Sequence, residues 1–135
     1  MLAAVASING CSNLAEQSDR FAESHKMTRT LTKGAPFLHV LYTQKLSETT
    51  RSLHVYIEGD GRPWELGGLL PADDPTPRKP LALHMMAKDN SAALYVGRPC
   101  YFGPARHAPC NSQYRTSARY AQLVVDSMAT ALNNF

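Results

Sequence analysis

The residues with the clearest chemical potential lie in Leu53–Trp64, LHVYIEGDGRPW. Leu53, His54, Val55, Tyr56 and Ile57 form a short run rich in apolar, β-branched and aromatic side chains, the pattern of a buried strand. The run enters Gly59-Asp60-Gly61, where two glycines around a small polar residue let the backbone turn sharply and present its N–H groups. A loop of that kind at the carboxyl end of a strand is where open α/β sheets place their ligands. Its N–H groups could face a ligand, and Trp64 could wall the cleft or anchor the following loop by packing.

Other titratable residues carry less. Asp60 suits a turn as well as a ligand contact. Glu58 is close to it in sequence, but proximity does not make an acid/base pair. His54, His39 and His84 read as structural or solvent-facing partners, His25 as a surface residue, and Asp73 and Asp74 as loop caps. Arg98, before Pro99, could bridge to the carboxylates of the first loop.

The elements that must position this loop follow from patterning. Met27–Thr32 alternates apolar and polar residues and reads as a strand, Phe37–Thr43 as a second, and Leu53–Glu58 as a third. Together they predict an antiparallel opening to a sheet. Residues 62–80 contain five prolines and two glycines and read as a long functional loop. Pro80 stands where a helix over Leu81–Ala87 would start. Ala92–Gly97 reads as a buried parallel strand. Ser117 is the expected N-cap of a last helix, Ala118 to about Asn133, with Tyr120, Leu123, Val124, Met128, Ala131, Leu132 and Phe135 on one face. The order predicts an α/β sheet. Glu16–Lys26 reads equally as a short helix or as linker.

Composition bounds the function. At 135 residues the chain is at most one domain. Its 44% hydrophobic and 19% charged residues are those of a globular protein. The formal charge of +3 comes from scattered Lys and Arg without a basic stripe, which argues against nucleic acid as a partner. No metal-ligand spacing or cofactor motif occurs.

Leu2–Ile8, followed by Asn9-Gly10-Cys11 and an abrupt polar stretch, resembles the end of a bacterial lipoprotein signal peptide. The resemblance implies that residues 1–10 are a signal remnant, that Cys11 is the lipid attachment site, that 11–26 is a tether and that 27–135 is the folded domain. It implies a lipid-anchored protein on the periplasmic side of the cell envelope. The two other cysteines, Cys100 and Cys110, are then an even pair in an exported chain, which suggests a disulfide. Closing that loop would contribute about 2–3 kcal/mol. Free thiols are an alternative, as is a metal site with His107, although CxxC spacing is lacking.

The blocks LHVYIEGDGRPW, DPTPRKPLALHMMAKD, ALYVGRPCYFG and TSARYAQLVVDSMATAL, in this order, resemble the N-terminal part of a family of bacterial α/β-hydrolase-fold lipoproteins. The resemblance implies the N-terminal portion of an α/β-hydrolase sheet: an antiparallel start, then parallel strands with crossover helices. Gly59, Asp60 and Gly61 would form the oxyanion-type turn and an ester-like small molecule would be the substrate. The G-x-S-x-G nucleophile elbow of such enzymes is missing, so the nucleophile, acid and histidine are expected beyond Phe135. The expectation is a serine-hydrolase-like fragment without a catalytic residue, inactive alone. The alternative is a noncatalytic envelope lipoprotein that binds a ligand or protein partner.

Overall fold

A computed structural model describes residues 13–135. The expected signal remnant, residues 1–10, and the expected lipid attachment site, Cys11, lie outside the described residues. The elements are α1 (Leu14–Ser24), β1 (Thr28–Lys33), β2 (Leu38–Gln44), β3 (His54–Ile57), β4 (Trp64–Glu65), β5 (Leu70–Pro71), α2 (Leu81–Met86), β6 (Ala93–Val96) and α3 (Gln122–Asn133).

The fold is mixed α/β. Its main sheet has four strands in the order β1-β2-β6-β3. β1 pairs antiparallel with β2 and β2 antiparallel with β6, while β3 runs parallel to β6. β1 and β2 form the expected antiparallel opening, but β3, read as its third strand, pairs with β6 in the parallel direction, and that pair is the whole parallel part of the sheet. α2 supplies its crossover and packs on both strands.

The central strands β2 and β6 are buried almost throughout because both faces of the sheet are covered. On one face Val40, Tyr42, Ala93 and Tyr95 pack with Ala22 of α1 and with Leu83 and Met86 of α2. The alternate residues Leu41, Leu94 and Val96 pack on the other face against Met128 and Leu132 of α3. The two-residue period of the strands thus divides the core into two layers.

Four sequence expectations change. The Leu53–Ile57 run, read as a buried strand, forms the edge strand β3, whose His54, Val55 and Ile57 are exposed because no element lies beyond it in the sheet among the described residues. Leu14–Ser24, grouped with the tether, is a helix whose Ala15, Ser18 and Ala22 are buried. Asn13 caps it by accepting from the Glu16 N–H at 2.8 Å. Asp19 fastens it to the sheet, accepting from Arg29 Nε at 2.9 Å and from the Tyr42 hydroxyl. The folded body therefore takes in residues before Met27.

The last helix starts at Gln122, with Ala121 at its N-cap, so Ser117 caps nothing there. Thr116–Ala121 instead forms turns, Ala118 N–H bonding to the Gln113 carbonyl at 2.8 Å. Tyr120 leaves the expected apolar face and is exposed. The long loop also has structure of its own. β4 and β5 pair as a short hairpin around a turn at Leu66–Gly68. Its base is stitched by Ala72 N–H to the Pro63 carbonyl at 2.9 Å and Arg62 N–H to the Pro75 carbonyl at 2.7 Å.

Candidate functional site

The Gly59-Asp60-Gly61 loop leaves the carboxyl end of β3, beside the end of its parallel neighbour β6. Just before it, Glu58 is buried and structural. Its Oε1 accepts from the Gly59 N–H at 3.1 Å, and its Oε2 accepts from the Ala82 N–H at 3.2 Å and the Tyr95 hydroxyl at 3.3 Å. One carboxylate therefore joins the end of β3, the first turn of α2 and the middle of β6. Burial and the Glu58 charge push the Tyr95 hydroxyl well above its ordinary pKa, so it remains a donor.

Asp60 is held from several directions. Its Oδ2 accepts from Arg119 Nε at 2.9 Å and from the Tyr120 hydroxyl, and its Oδ1 lies 3.2 Å from Arg98 Nη1. The Asp60 carbonyl accepts from the Tyr101 hydroxyl at 2.7 Å. Arg98 also donates to the Arg119 carbonyl, and both guanidinium groups stand over the Tyr120 ring, at 5.2 and 4.9 Å from its centroid. Desolvation raises the Asp60 pKa, but the hydrogen bonds from Tyr120 and Arg119 and the charges of Arg98 and Arg119 outweigh it and hold it below the ordinary value. Such a carboxylate is a poor general base. Its chemistry is to fix the loop.

The two glycines differ. Gly61 has φ +60°, and a Cβ there would sit 2.3 Å from the Pro75 carbonyl oxygen and 2.9 Å from the Tyr101 ring. Only glycine fits that position. Around Gly59 nothing lies within 4 Å of a Cβ, so its side faces open space. The Gly59 N–H is already bonded to Glu58. The N–H groups of Asp60 and Gly61 donate to no acceptor among the described residues. The donors left for a ligand are those two.

Arg98 meets Asp60 as the sequence suggested. Arg119, Tyr120 and Tyr101 were missed, because nothing in a helical periodicity marks a Ser-Ala-Arg-Tyr stretch as the partner of a loop 59 positions away. Trp64 is half-exposed on β4. Cys100 and Cys110 are bonded to each other, with Cα atoms 5.5 Å apart, so neither sulfur is a free thiol or a metal ligand. The bridge packs with Phe37, Tyr114 and Val124.

Compared with protein-family models, with curated proteins and with solved structures, the chain matches none.

The remaining histidines bear on whether a nucleophile–base pair exists. His39 is fully buried, with Nδ1 3.0 Å from the Gly97 carbonyl oxygen and Nε2 2.8 Å from the Ser127 hydroxyl. The carbonyl requires a proton on Nδ1, so Nε2 accepts from Ser127. Burial lowers the His39 pKa, against the bond to Gly97, and favours the neutral ring. Ser127 is also fully buried, so no substrate can reach this pair. Ser24 contacts His25 at 3.1 Å on the surface, but both turn back to the Phe21 carbonyl at the end of α1. His84 stacks on Phe21 with ring centroids 4.0 Å apart.

His54 Nδ1 lies 2.6 Å from Asp89 Oδ2, which also accepts from the Tyr56 hydroxyl at 2.7 Å. The bond from Tyr56, with those from Ser91 and His54, lowers the Asp89 pKa strongly. This trio pins β3 to the turn after α2 and contains no nucleophile. The described residues thus hold an oriented loop with two free donors and no accessible nucleophile–base pair.

Proposed function

We propose that this chain is the N-terminal part of a serine-hydrolase-like, esterase-type α/β-hydrolase, and that Gly59-Asp60-Gly61 is its oxyanion-type turn. The observation that carries the reading is the Asp60 cluster. Arg98, Arg119, Tyr120 and Tyr101 hold a glycine loop rigidly at the carboxyl end of a parallel strand, with the Asp60 and Gly61 N–H groups unpaired. Preorganised donors of this kind stabilise a developing oxyanion without reorganising during reaction. The antiparallel opening, the parallel β3–β6 pair and its α2 crossover also support this sheet type.

Donors alone cannot carry out acyl transfer, which needs an activated nucleophile. On this reading an ester-like small molecule is the substrate and the nucleophile is to be sought beyond Phe135. The Cys100–Cys110 disulfide supports an exported protein, in keeping with a lipid anchor at Cys11 on the cell envelope.

Two measurements test the reading. Sequencing through the coding region after codon 135 should reveal, in some frame, a strand-forming run followed by G-x-S-x-G. No such coding sequence there would remove the basis of the proposal. The chain alone should hydrolyse no p-nitrophenyl ester and take up no fluorophosphonate probe. Labelling of one of its own serines would show a different enzyme.

A further inference from the structure

We propose that Arg115 anchors a binding site for a small oxyanion, the carboxylate or phosphate group of a ligand. Arg115 is only 8% exposed, and its Nε is closed off from solvent with no acceptor. No carboxylate, carbonyl or aromatic ring among the described residues pairs with its guanidinium. A guanidinium cannot shed its charge by losing a proton. Buried cations in folded proteins are paired, so one without a partner calls for a group that binds there. Nε alone of its nitrogens is closed off in this way, so the Nη pair stays within reach from outside. That forked end suits two parallel bonds to the oxygens of a carboxylate or phosphate. So little exposed area admits a group of a few atoms and excludes an extended surface.

The charge around it favours an anion. Residues 90–125 include Arg98, Arg106, Arg115 and Arg119 but no Asp or Glu. Acids from outside this stretch reach the others. Asp60 meets Arg98 and Arg119, and Asp73 and Asp74 line one surface hollow with Arg106. Among the described residues, Arg115 has no such acid.

The turn that carries Arg115 is already fixed. The Thr116 hydroxyl donates to the Ser112 carbonyl at 2.7 Å, and the Tyr114 ring meets Phe37 edge-on with centroids 4.9 Å apart. The Thr116 carbonyl accepts from Arg119 Nη1 at 2.8 Å, which ties the turn to the Asp60 cluster. A cation on a preorganised turn gives up little freedom on binding. The site needs no nucleophile and does not depend on the hydrolase reading.

The test uses the full chain, disulfide intact, titrated with inorganic phosphate and then with acetate at constant ionic strength in chloride. In the NMR spectrum the Arg115 Nε–H signal should move and saturate. The Nε–H of Arg98, equally closed off but with its Nη groups engaged, should not. Phosphate at ten times its dissociation constant should raise the melting temperature by about 3 °C or more. Phosphate also stabilises proteins by exclusion from their surface, so the reference is Arg115→Met in the same buffers. That variant should keep only the general effect. In chloride it should melt no lower than wild type, because methionine fills the space without an unpaired charge. Arg115→Lys keeps the charge without the fork and should bind phosphate about threefold more weakly, or worse.

A phosphate response equal in wild type and Arg115→Met overturns the proposal, as does an Arg115 signal that stays still. A melting temperature of Arg115→Met lower by more than about 4 °C in chloride would give Arg115 a structural role and also overturn it. Self-association abolished by Arg115→Met would place an acidic side chain of a second copy there, again against a small ligand. Responses to both acetate and phosphate support the oxyanion class as stated, and phosphate alone narrows it to phosphate-bearing ligands.

Discussion

Arg119 Nε donates to Asp60 Oδ2 at 2.9 Å, joining the approach to α3 to the loop after β3. The same carboxylate meets the Tyr120 hydroxyl and the buried Arg98, so three side chains converge on one loop residue. Asp60→Asn keeps the shape and removes the charge. It should destabilise the fold by about 1–3 kcal/mol, solvent on the exposed side of Asp60 keeping the loss below that of a fully buried pair.

The pH dependence follows from the lowered Asp60 pKa. The folded state holds the carboxylate more readily than the unfolded chain, where it titrates near about 3.9. The contribution is whole above that value and is lost as pH falls through the lower, folded-state pKa. The difference in urea midpoint between wild type and Asp60→Asn should be widest at pH 7 and shrink in strongly acidic buffer. A difference constant with pH would mean that Asp60 acts by packing alone.

How much of this could be read from the chain depended on the kind of signal. β1, β2, β3 and β6 were legible because alternation or apolar runs end at turn residues. α1 was ambiguous because the residues it buries, Ala15, Ser18 and Ala22, are small and make no apolar stripe. The start of α3 was misplaced because helical spacing continues through Arg119 and Tyr120. Tertiary contacts with Asp60 override that local preference. The hairpin was invisible because strands of two residues are too short to show a period. At the site, the glycine loop was legible and the residues that fix it, apart from Arg98, were not.

The buried pair of His39 and Ser127 gives a second test. Ser127→Ala leaves Nε2 of His39 without its donor in a dry environment and should cost about 1–3 kcal/mol. Burial lowers the His39 pKa, so the unfolded chain binds its proton first. His39 therefore makes the fold lose stability as pH falls from about 6.5 towards that lowered value. Chemical denaturation across this range should show a slope in wild type that flattens in His39→Gln. An unaltered slope would assign the dependence to other groups.

The two loop glycines should respond differently to the same substitution. Gly61→Ala forces a Cβ against the Pro75 carbonyl at positive φ and should cost about 2 kcal/mol or more in thermal or urea unfolding. Gly59→Ala meets no neighbour and should stay within about 0.5 kcal/mol of wild type. Equal losses at both positions would contradict the tight seat of Gly61 against residue 75.

β3 is an edge strand of the main sheet, with Val55 and Ile57 exposed at 45% and 53%. Its free side offers unpaired backbone groups beside apolar side chains, the arrangement that recruits another strand. A complete hydrolase-type sheet would cover this side, so the hydrolase reading and the edge make the same demand. The chain should accordingly self-associate in a concentration-dependent manner. Ile57→Lys places a charge on the edge where the side chain already meets solvent, and should suppress association with stability within about 0.5 kcal/mol. Light scattering and size-exclusion chromatography over a concentration series measure the first effect, and urea unfolding the second. If the wild-type chain stays monomeric at every concentration, the edge of β3 is protected by something other than a partner strand. Association that is equal in Ile57→Lys but lost in Leu66→Glu with Leu69→Glu would move the contact from β3 to the hairpin.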